Sequence, residues 1–441
     1  MKITLNNHAS VTIKTDDINI ITDPWFTGDA FNNGWKLIYE NPEPEEFFLK
    51  KINYIWISHE HPDHFQPGFF IRNRNFIEEN KIKILFQKTK DKRVVNFFNK
   101  IKLNIQEIDN NKKTQISEKT SIIIFNAELY DSSLFVSSGN HSTLNLNDCS
   151  FSDSELIEIK KKCNKIDTLL TQFSYAAWKG GKNNIKWRTD ASYLKLDEIK
   201  RQFKLLNCQT VIPIASFIYF SHKDNFYMND SINTVEKVCK FLSLNNLSYK
   251  ILSPNTTYEV GIDDYDDSIP QIFWKNEYDN INRKKINNYS NCYTLEDLDL
   301  VFQSYKKKIF KENNIYLMKL VSVFKIFNIF QPIIFYITDL KKYIKFSFFN
   351  NKLVEVNLVN SNYVEIHSSS LFFVLNNNFG FDTLTVNGLF ESDYNNFKKL
   401  VYNFGLGSYN AAGMYISIKS IFNFKVVLLI YEKIKKLKLN F

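Results

Sequence analysis

Cysteine and glycine are scarce in this 441-residue chain, which has five cysteines and twelve glycines against forty phenylalanines. The cysteines are odd in number and none forms a CxxC pair. This pattern argues against a disulfide framework and a zinc ribbon, and it indicates a reducing compartment. The excess of phenylalanine, together with much Asn, Ile and Lys, indicates a compositional bias of the genome.

Long apolar runs are missing as well. Residues 1–4 lack the apolar core of a signal peptide. Only residues 315–338 approach transmembrane length, and they include Lys319, Lys325 and Pro332, which make insertion into a bilayer costly. We therefore expect a cytoplasmic protein with no transmembrane segment and a packed helix at this position.

The balance of residue types is that of a soluble globular protein. Hydrophobic residues make up 44% and charged residues 23%, and the length allows two domains with full cores. The formal charge of +9 favours anionic partners or substrates. No block of basic residues alternates with aromatic ones, so we expect no nucleic-acid partner.

What the chain does contain is a dense group of metal-binding residue types. His59, His61, Asp63 and His64 include three of the seven histidines within six positions. The apolar run before them, residues 52–57, predicts a buried parallel strand that ends at Ser58. Imidazoles and a carboxylate at the end of a strand are typical of a metal site. A polar surface turn is the alternative, which this density disfavours.

The spacing His-x-His-x-Asp-His resembles the metallo-β-lactamase superfamily, and it implies that family's two-metal centre. By this resemblance His59 and His61 hold the first metal, and Asp63 and His64 hold the second. The resemblance also assigns a metal-bridging role to Asp148 and a final site-two ligand to His222. Asp23 would support a ligand histidine by hydrogen bonding. Asp63 and Asp148 are then the predicted catalytic residues.

The order of predicted elements fits the same family. Strands and helices alternate through residue 108, and meandering strands follow, which indicates an αββα sandwich. A hairpin turn at residues 138–140 separates two strands, and residues 211–220 read as the last core strand. His141 begins the second hairpin strand, roughly 23 Å from Asp148 at ~3.3 Å per residue. We therefore exclude His141 as a ligand.

The family's third metal-binding segment lacks its histidine here. Glu128 and Asp131 are the candidates for that place, although either acid could equally face solvent in a turn. A carboxylate ligand would make the site richer in oxygen. Such a site favours iron or manganese over zinc.

Cations and aromatic rings near the predicted strand ends suggest an anionic, ring-bearing substrate. The loop at residues 179–188 contains three lysines, Trp187 and Arg188, and a solvated surface loop is the equal alternative. His8 stands at a predicted strand start, where a lone histidine is more often structural than a ligand, and it is a candidate for pocket lining only. The full set of candidate substrate-binding residues is His8, Trp25, Trp35, Trp178, Lys182 and Arg188.

Ordered short motifs narrow the resemblance over roughly residues 1–260. Asp-Pro-Trp-Phe at 23–26, Asn-Leu-Asn-Asp-Cys at 145–149 and Phe-x-Tyr-Phe-x-His at 217–222 resemble the catalytic domain of CMP-N-acetylneuraminate hydroxylases. The resemblance implies non-haem iron, dioxygen and a nucleotide-sugar substrate, with electrons from an attached Rieske domain. No cysteine here has a histidine two or three residues away, as a Rieske site requires. Electrons would have to come from a separate protein.

These patterns predict three segments and rank three functions. Residues 1–262 are the predicted catalytic domain, 263–300 a linker or excursion, and 301–441 an α+β accessory domain that weakly resembles sterol-carrier proteins. Residues 426–441 form a candidate basic amphipathic helix. The favoured function is a diiron hydroxylase or monooxygenase acting on an anionic sugar derivative. The alternative is a dinuclear zinc or manganese hydrolase of an ester or phosphodiester, and the third is a non-catalytic binding protein.

Overall fold

The computed structural model describes residues 1–127, 130–323, 329–357, 362–411 and 413–417. Within these ranges, no helix is long and apolar enough to cross a membrane. Two expectations fall outside them: the position of Glu128 and the amphipathic helix at 426–441.

The first large sheet begins with antiparallel strands and ends with parallel ones. In the described part of the chain it has seven strands, and the strand predicted before the metal motif, β5, lies between parallel neighbours. The spatial order is β15 (Thr257–Glu259), β1 (Lys2–Asn7), β2 (Ser10–Lys14), β3 (Asn19–Thr22), β5 (Tyr54–Trp56), β6 (Lys83–Gln87) and β7 (Ile105–Ile108).

The second large sheet contains the predicted hairpin, whose strands pair as Leu134 with Asn145 and Ser138 with His141. Gly139 takes a positive φ of 55° in the turn, a backbone conformation that glycine adopts readily. Among the described residues this sheet runs in the order β13 (Thr210–Ile214), β12 (Thr168–Gln172), β11 (His141–Asn147), β10 (Ser132–Ser138), β9 (Thr120–Asn126) and β8 (Thr114–Gln115).

Burial alternates along the parallel strands of the first sheet. Ile20 and Trp56 face the core shared with the second sheet, whereas Ile21 and Ile55 face a separate core that contains the apolar residues of the neighbouring helices. Side chains alternate across a strand, so both faces of this sheet are covered. The predicted αββα sandwich is thus confirmed.

Some helices of this sandwich begin where their sequence supplies a cap or a proline. Helix α2 has Pro67 in its first turn, and α5 has a capping box in which Ser152 and Glu155 bond to each other's backbone N–H groups. The helices are α1 (Glu45–Leu49), α2 (Pro67–Arg72), α3 (Arg74–Glu79), α4 (Arg93–Lys100), α5 (Asp153–Cys163), α6 (Ile185–Leu206), α7 (Val235–Leu244) and α8 (Ser268–Asp279).

The predicted single strand at 211–220 is wrong. Ala215 has a positive φ of 53°, which breaks the chain into β13 and a separate strand, β14 (Ile218–Phe220). Strand β14 leaves the second sheet and pairs antiparallel with β4 (Trp35–Leu37). The residues after β14, including His222, therefore start from a different place than the end of β13.

The stretch predicted to be a linker or excursion contains a packed helix. Trp274 of α8 is fully buried, stacks on Phe217 with ring centroids 3.9 Å apart, and donates its indole N–H to Leu252 O at 2.7 Å. Pro270, Trp274 and Tyr278 are buried at helical spacing. Residues 268–279 thus form part of the core beside β14, which an extended linker would not do.

The remaining described residues form a third sheet with helices around it. The sheet order is β18 (Val354–Glu355), β17 (Lys342–Phe346), β16 (Ile333–Ile337), β19 (Val364–Ile366) and β20 (Phe390–Glu391). The helices are α9 (Leu295–Glu312), α10 (Ile315–Val323), α11 (Ser368–Asn376), α12 (Gly380–Asn387) and α13 (Tyr394–Ala411). Gly388 ends α12 in the left-handed conformation.

This C-terminal part packs directly on loops of the sandwich. Asn387 donates its side-chain N–H to Phe31 O at 3.1 Å, and its own carbonyl accepts from Asn225 Nδ2 at 2.7 Å. A Cβ placed on Gly34 would lie 2.4 Å from the Cβ of Asn387, so glycine permits this close approach.

Candidate metal centre

The motif loop begins directly after β5 and turns sharply. The N–H groups of His64 and Phe65 both donate to the carbonyl of His61, at 3.0 Å and 2.7 Å. This turn brings His59, Asp63 and His64 into the protein, where each is at most 5% exposed. The carboxyl ends of the strands thus deliver buried imidazole and carboxylate groups to one place.

One group of ligand-type atoms consists of His59, His61 and Asp131. Their nearest imidazole nitrogens and carboxylate oxygen all lie within 4.8 Å of one another. His59 Nε2 is 2.7 Å from His61 Nδ1 and 4.0 Å from Asp131 Oδ1. The Nδ1 of His59 contacts Ser58 Oγ at 2.9 Å, which leaves its Nε2 directed at this group.

A second group consists of His8, Asp63 and His64, again within 4.8 Å. Asp63 Oδ2 lies 3.4 Å from His8 Nε2 and 3.2 Å from His64 Nε2. All three side chains are buried.

Asp148 stands between the two groups. Its Oδ2 is 3.8 Å from His59 Nε2 and 3.6 Å from His64 Nε2, and these three residues form a third group of mutually close ligand atoms. One carboxylate is thus within reach of both histidine sets, which is the position of a bridging ligand.

Asp23 is the buried hydrogen-bonding centre behind the histidines. Its carboxylate accepts from Ser58 N at 2.8 Å, from Ser58 Oγ at 2.7 Å, from the amide of Asn147, and from His64 Nδ1 at 3.0 Å. A proton held on His64 Nδ1 leaves the Nε2 lone pair free for a metal. The structure therefore places Asp23 where the sequence analysis expects a supporting residue, and it adds Asn147 and Ser58.

His8 reaches the centre because its backbone is held in an uncommon conformation. Its φ is +39°, its N–H donates to Asn7 Oδ1 at 2.9 Å, and its carbonyl accepts from Ala215 N at 2.8 Å. Ala215 directly follows β13, so His8 occupies the space at that strand's carboxyl end. The positive φ of a non-glycine residue is costly and is common at functional sites.

The donor atoms fit two metal ions. Metal–ligand bonds of ~2.0–2.2 Å place neighbouring tetrahedral ligand atoms roughly 3.3–3.6 Å apart, close to the 3.2–4.0 Å contacts between histidine nitrogens and carboxylate oxygens here. Asp63 Oδ1 and Asp148 Oδ1 are buried without a hydrogen-bond partner among the described residues. Unpaired buried carboxylate oxygens are costly unless a cation neutralises them.

Charge is concentrated in the centre. Burial and the nearby Asp148 carboxylate raise the pKa of Asp131 to about 7. Burial opposes ionisation of Asp63, but the neighbouring His64 holds its pKa well below the usual range. Burial lowers the pKa of His8 and of His59, which favours the neutral imidazoles that metals bind.

His222 does not join the centre, which corrects the expected final ligand. It belongs to none of the groups of close ligand-type atoms in the described residues, its ring lies 4.3 Å from that of Tyr289, and its Nδ1 accepts from Asp224 N. The break at Ala215 sends β14 and His222 towards the C-terminal part. His141 lies at the turn end of β11, beside Gly261, and is also outside the groups.

Several candidate substrate-binding residues have structural roles instead. Arg188 is 1% exposed and belongs to α6, where it pairs with Asp230 at 2.6 Å and donates to carbonyls of the 180–182 loop. Trp178 packs on Phe390 and Phe397 of the C-terminal part. Both side chains make contacts within the protein, so neither is free to bind a substrate as predicted.

The other three candidates lie in different surroundings. Trp25 is buried edge-on against the His8 ring at 5.4 Å, so it supports the centre from behind. Trp35 is buried between Phe31 and Phe220. Lys182 is exposed, and its backbone N–H donates to Glu391 at 2.9 Å.

A cavity of about 1000 Å³ opens beside Asp148. It runs between the loop after β12 and the first half of α6. Its lining is Asp148, Ser150, Gln172, Tyr175, Ala176, Ala177, Lys179, Trp187, Thr189, Asp190, Ala191, Tyr193, Leu194, Lys195 and Glu198. A substrate bound here would lie against one of the candidate metal ligands.

Comparison with known proteins agrees with this architecture. Residues 2–144 match the family described as "Beta-lactamase superfamily domain". The superfamily resemblance seen in the His-x-His-x-Asp-His spacing is therefore confirmed.

The curated relatives are cytidine monophosphate-N-acetylneuraminic acid hydroxylases. The Asterias rubens protein of that name is 24% identical over 259 residues, which cover 53% of this chain and 37% of the relative. A Homo sapiens protein described as inactive is 23% identical over 255 residues, covering 52% and 48%. This chain spans less than half the length of either relative.

Among solved structures, CmlA, a diiron β-hydroxylase from Streptomyces venezuelae, aligns with 59% of this chain and 54% of its own. The TM-score is 0.40 and the sequence identity 12%.

Proposed function

We propose that this protein is a non-haem diiron hydroxylase that acts on an anionic sugar derivative of the nucleotide-sugar class. The observation that carries the proposal is the donor set of four histidines and three aspartates, arranged as two groups with Asp148 between them. Three carboxylates make the set rich in oxygen, which suits iron better than a histidine- or thiolate-dominated zinc site. The names of the curated relatives support the same reaction class.

In this proposal the first iron is held by His59, His61 and Asp131, and the second by His8, Asp63 and His64. Asp148 contributes to both. Two irons bound here would supply the activation of dioxygen for hydroxylation of a C–H bond. Iron and dioxygen need a source of electrons, and we assign that role to a separate electron-transfer protein.

The chain's own residues fix and shield this centre. Asp23 orients His64, Asn147 donates to Asp23 and to Ser58 Oγ, and Ser58 contacts both His59 and His64. The centre opens towards the cavity at Asp148, while Trp25 closes it behind His8. Burial of the ligands keeps bulk water from competing with the bound substrate.

Metal analysis of protein produced anaerobically with iron tests the proposal. We expect two irons per chain and dioxygen consumption that depends on a reductant. His8→Ala should lose one iron equivalent because it removes a ligand of the second group, whereas His222→Ala should keep both. Tight zinc binding with hydrolysis of an ester or phosphodiester, and no dioxygen consumption, would instead establish the hydrolase alternative.

A further inference from the structure

Two lysines line the cavity beside the metal centre. Lys179 lies in the loop that follows β12, and Lys195 lies on α6. Both are only partly accessible to solvent. The positive charge of Lys195 acts on Lys179, and the Asp148 carboxylate acts on Lys195. Both lysines therefore line the same cavity as the candidate bridging ligand.

Neither lysine has an ion-pairing partner among the described residues. No side-chain hydrogen bond or ion pair joins the ammonium group of Lys179 or Lys195 to a described residue, although the Asp148 and Glu198 carboxylates act electrostatically on Lys195. The other acids of the cavity wall already have cationic partners. Asp190 pairs with Lys186 at 2.6 Å, and Glu198 pairs with Arg201 at 2.6 Å.

Two ammonium groups that line one cavity without an ion-pairing partner are unfavourable in a partly dehydrated place. Burial and the neighbouring Lys195 lower the pKa of Lys179 to about 8. Burial likewise lowers the pKa of Lys195. An oxyanion between them would remove this repulsion and form charge-assisted hydrogen bonds.

We propose that Lys179 and Lys195 bind an oxyanion group, phosphate or carboxylate, of the molecule that enters the cavity. Identifying that molecule as the substrate rests on the proposed function. The oxyanion is held next to Asp148, and the rest of the molecule lies along Tyr175, Trp187 and Tyr193 on the cavity wall. The lysine pair thereby selects anionic molecules and fixes their position relative to the metals.

The test measures binding of inorganic phosphate and of acetate by isothermal titration calorimetry. It uses the metal-loaded protein and the same protein after removal of metal with a chelator. Phosphate should bind both forms, and Lys179→Gln and Lys195→Gln should each weaken that binding by about 10-fold or more, the loss of roughly one charge-assisted contact. Lys204→Gln, which removes an exposed lysine of the same helix that does not line the cavity, should change nothing. Tighter phosphate than acetate binding identifies a phosphate-bearing ligand, and the reverse identifies a carboxylate.

Metal content of each variant separates this inference from the proposed function. Both lysine variants should retain the full metal content, which also shows that they fold. Phosphate affinity that is the same in wild type, Lys179→Gln and Lys195→Gln, or that disappears when metal is removed, overturns the inference even if two irons are bound. Lysine-dependent phosphate binding in a protein that binds no iron overturns the proposed function and leaves the inference standing. Lys179→Met and Lys195→Met provide second variants should either glutamine fail to fold.

Discussion

Asp23→Asn is the sharpest perturbation of the metal centre that leaves every ligand in place. The Asp23 side chain is fully buried, and its Oδ2 accepts from His64 Nδ1, Ser58 Oγ and Asn147. Asparagine has the same shape but only one acceptor oxygen. With that oxygen at the Oδ2 position, the amide NH₂ faces the Ser58 N–H, which then loses its 2.8 Å acceptor. The change also removes the negative charge beside the His64 imidazole.

The expected loss of metal affinity follows from these contacts. Substitution of the residue that hydrogen-bonds a ligand histidine typically lowers metal affinity about 10–100-fold, or about 1.4–2.8 kcal/mol. The unpaired Ser58 donor should lower the free energy of unfolding by about 1–3 kcal/mol. Only the metal held through His64 should be weakened, because His59 takes its Nδ1 contact from Ser58 Oγ at 2.9 Å.

Competition between the protein and a chromogenic chelator for Zn²⁺ measures both binding steps without oxidation of the metal. Asp167→Asn is the matched control. Asp167 is also buried and accepts a backbone hydrogen bond, from Ser142 at 2.8 Å, but it lies at the opposite end of the hairpin strand from Asp148. Unchanged zinc affinity in Asp23→Asn, or an equal loss in Asp167→Asn, would refute the assigned role of Asp23.

Three other features give measurable expectations: a buried tryptophan, the hairpin histidine and a cavity lysine. Trp274→Ala should lower the free energy of unfolding by about 3–5 kcal/mol in urea denaturation. Ile272→Ala, on the exposed face of α8, should lower it by less than about 1 kcal/mol. Small losses in both variants would show that α8 lies outside the core. His141→Ala should leave metal content unchanged, and loss of a metal equivalent would contradict its placement at the turn. Because the pKa of Lys179 is lowered to about 8, its ammonium is lost as pH rises through that value, so calorimetry should show sulfate affinity falling between about pH 7 and pH 9; a flat profile would count against Lys179 as an anion ligand.

Much of the centre is readable from the sequence because its residues follow strands with clear patterns. The apolar run before Ser58 and the hairpin that leads to Asp148 both have the predicted strand character, and their carboxyl ends converge on the same place. Asp23 follows β3 in the same way. Where a ligand directly follows a regular element, local pattern is enough to place it.

The sequence did not indicate that His8, rather than His222, lies in the metal centre. The run from Val211 to Phe220 is mostly apolar, and alanine itself does not indicate a positive φ, although Pro213 and Ser216 interrupt the apolar pattern beside Ala215. The break is imposed by tertiary contacts, among them the hydrogen bond to the His8 carbonyl. A lone histidine after a short strand carries no local signal of its role.

Long-range partners also explain the other errors. Arg188 was predicted to bind substrate because its ion-pair partner, Asp230, lies far along the chain. The 263–300 segment was interpreted as a linker or excursion because it is polar on average, although α8 within it has apolar residues on one face. The spacing of Pro270, Trp274 and Tyr278 is a helical signal that could have been found.

The hydrogen bond from Ala215 to the carbonyl of His8 has a consequence for the order of events during protein synthesis. His59, Asp63 and His64 leave the ribosome close together, and Asp148 soon follows. The conformation that turns His8 towards them depends on a residue made much later, after β13 is complete. A nascent chain can therefore bind a metal ion through the first group well before the second is assembled. Metal uptake in two stages, the second only after residue 215 has emerged, follows from this connection.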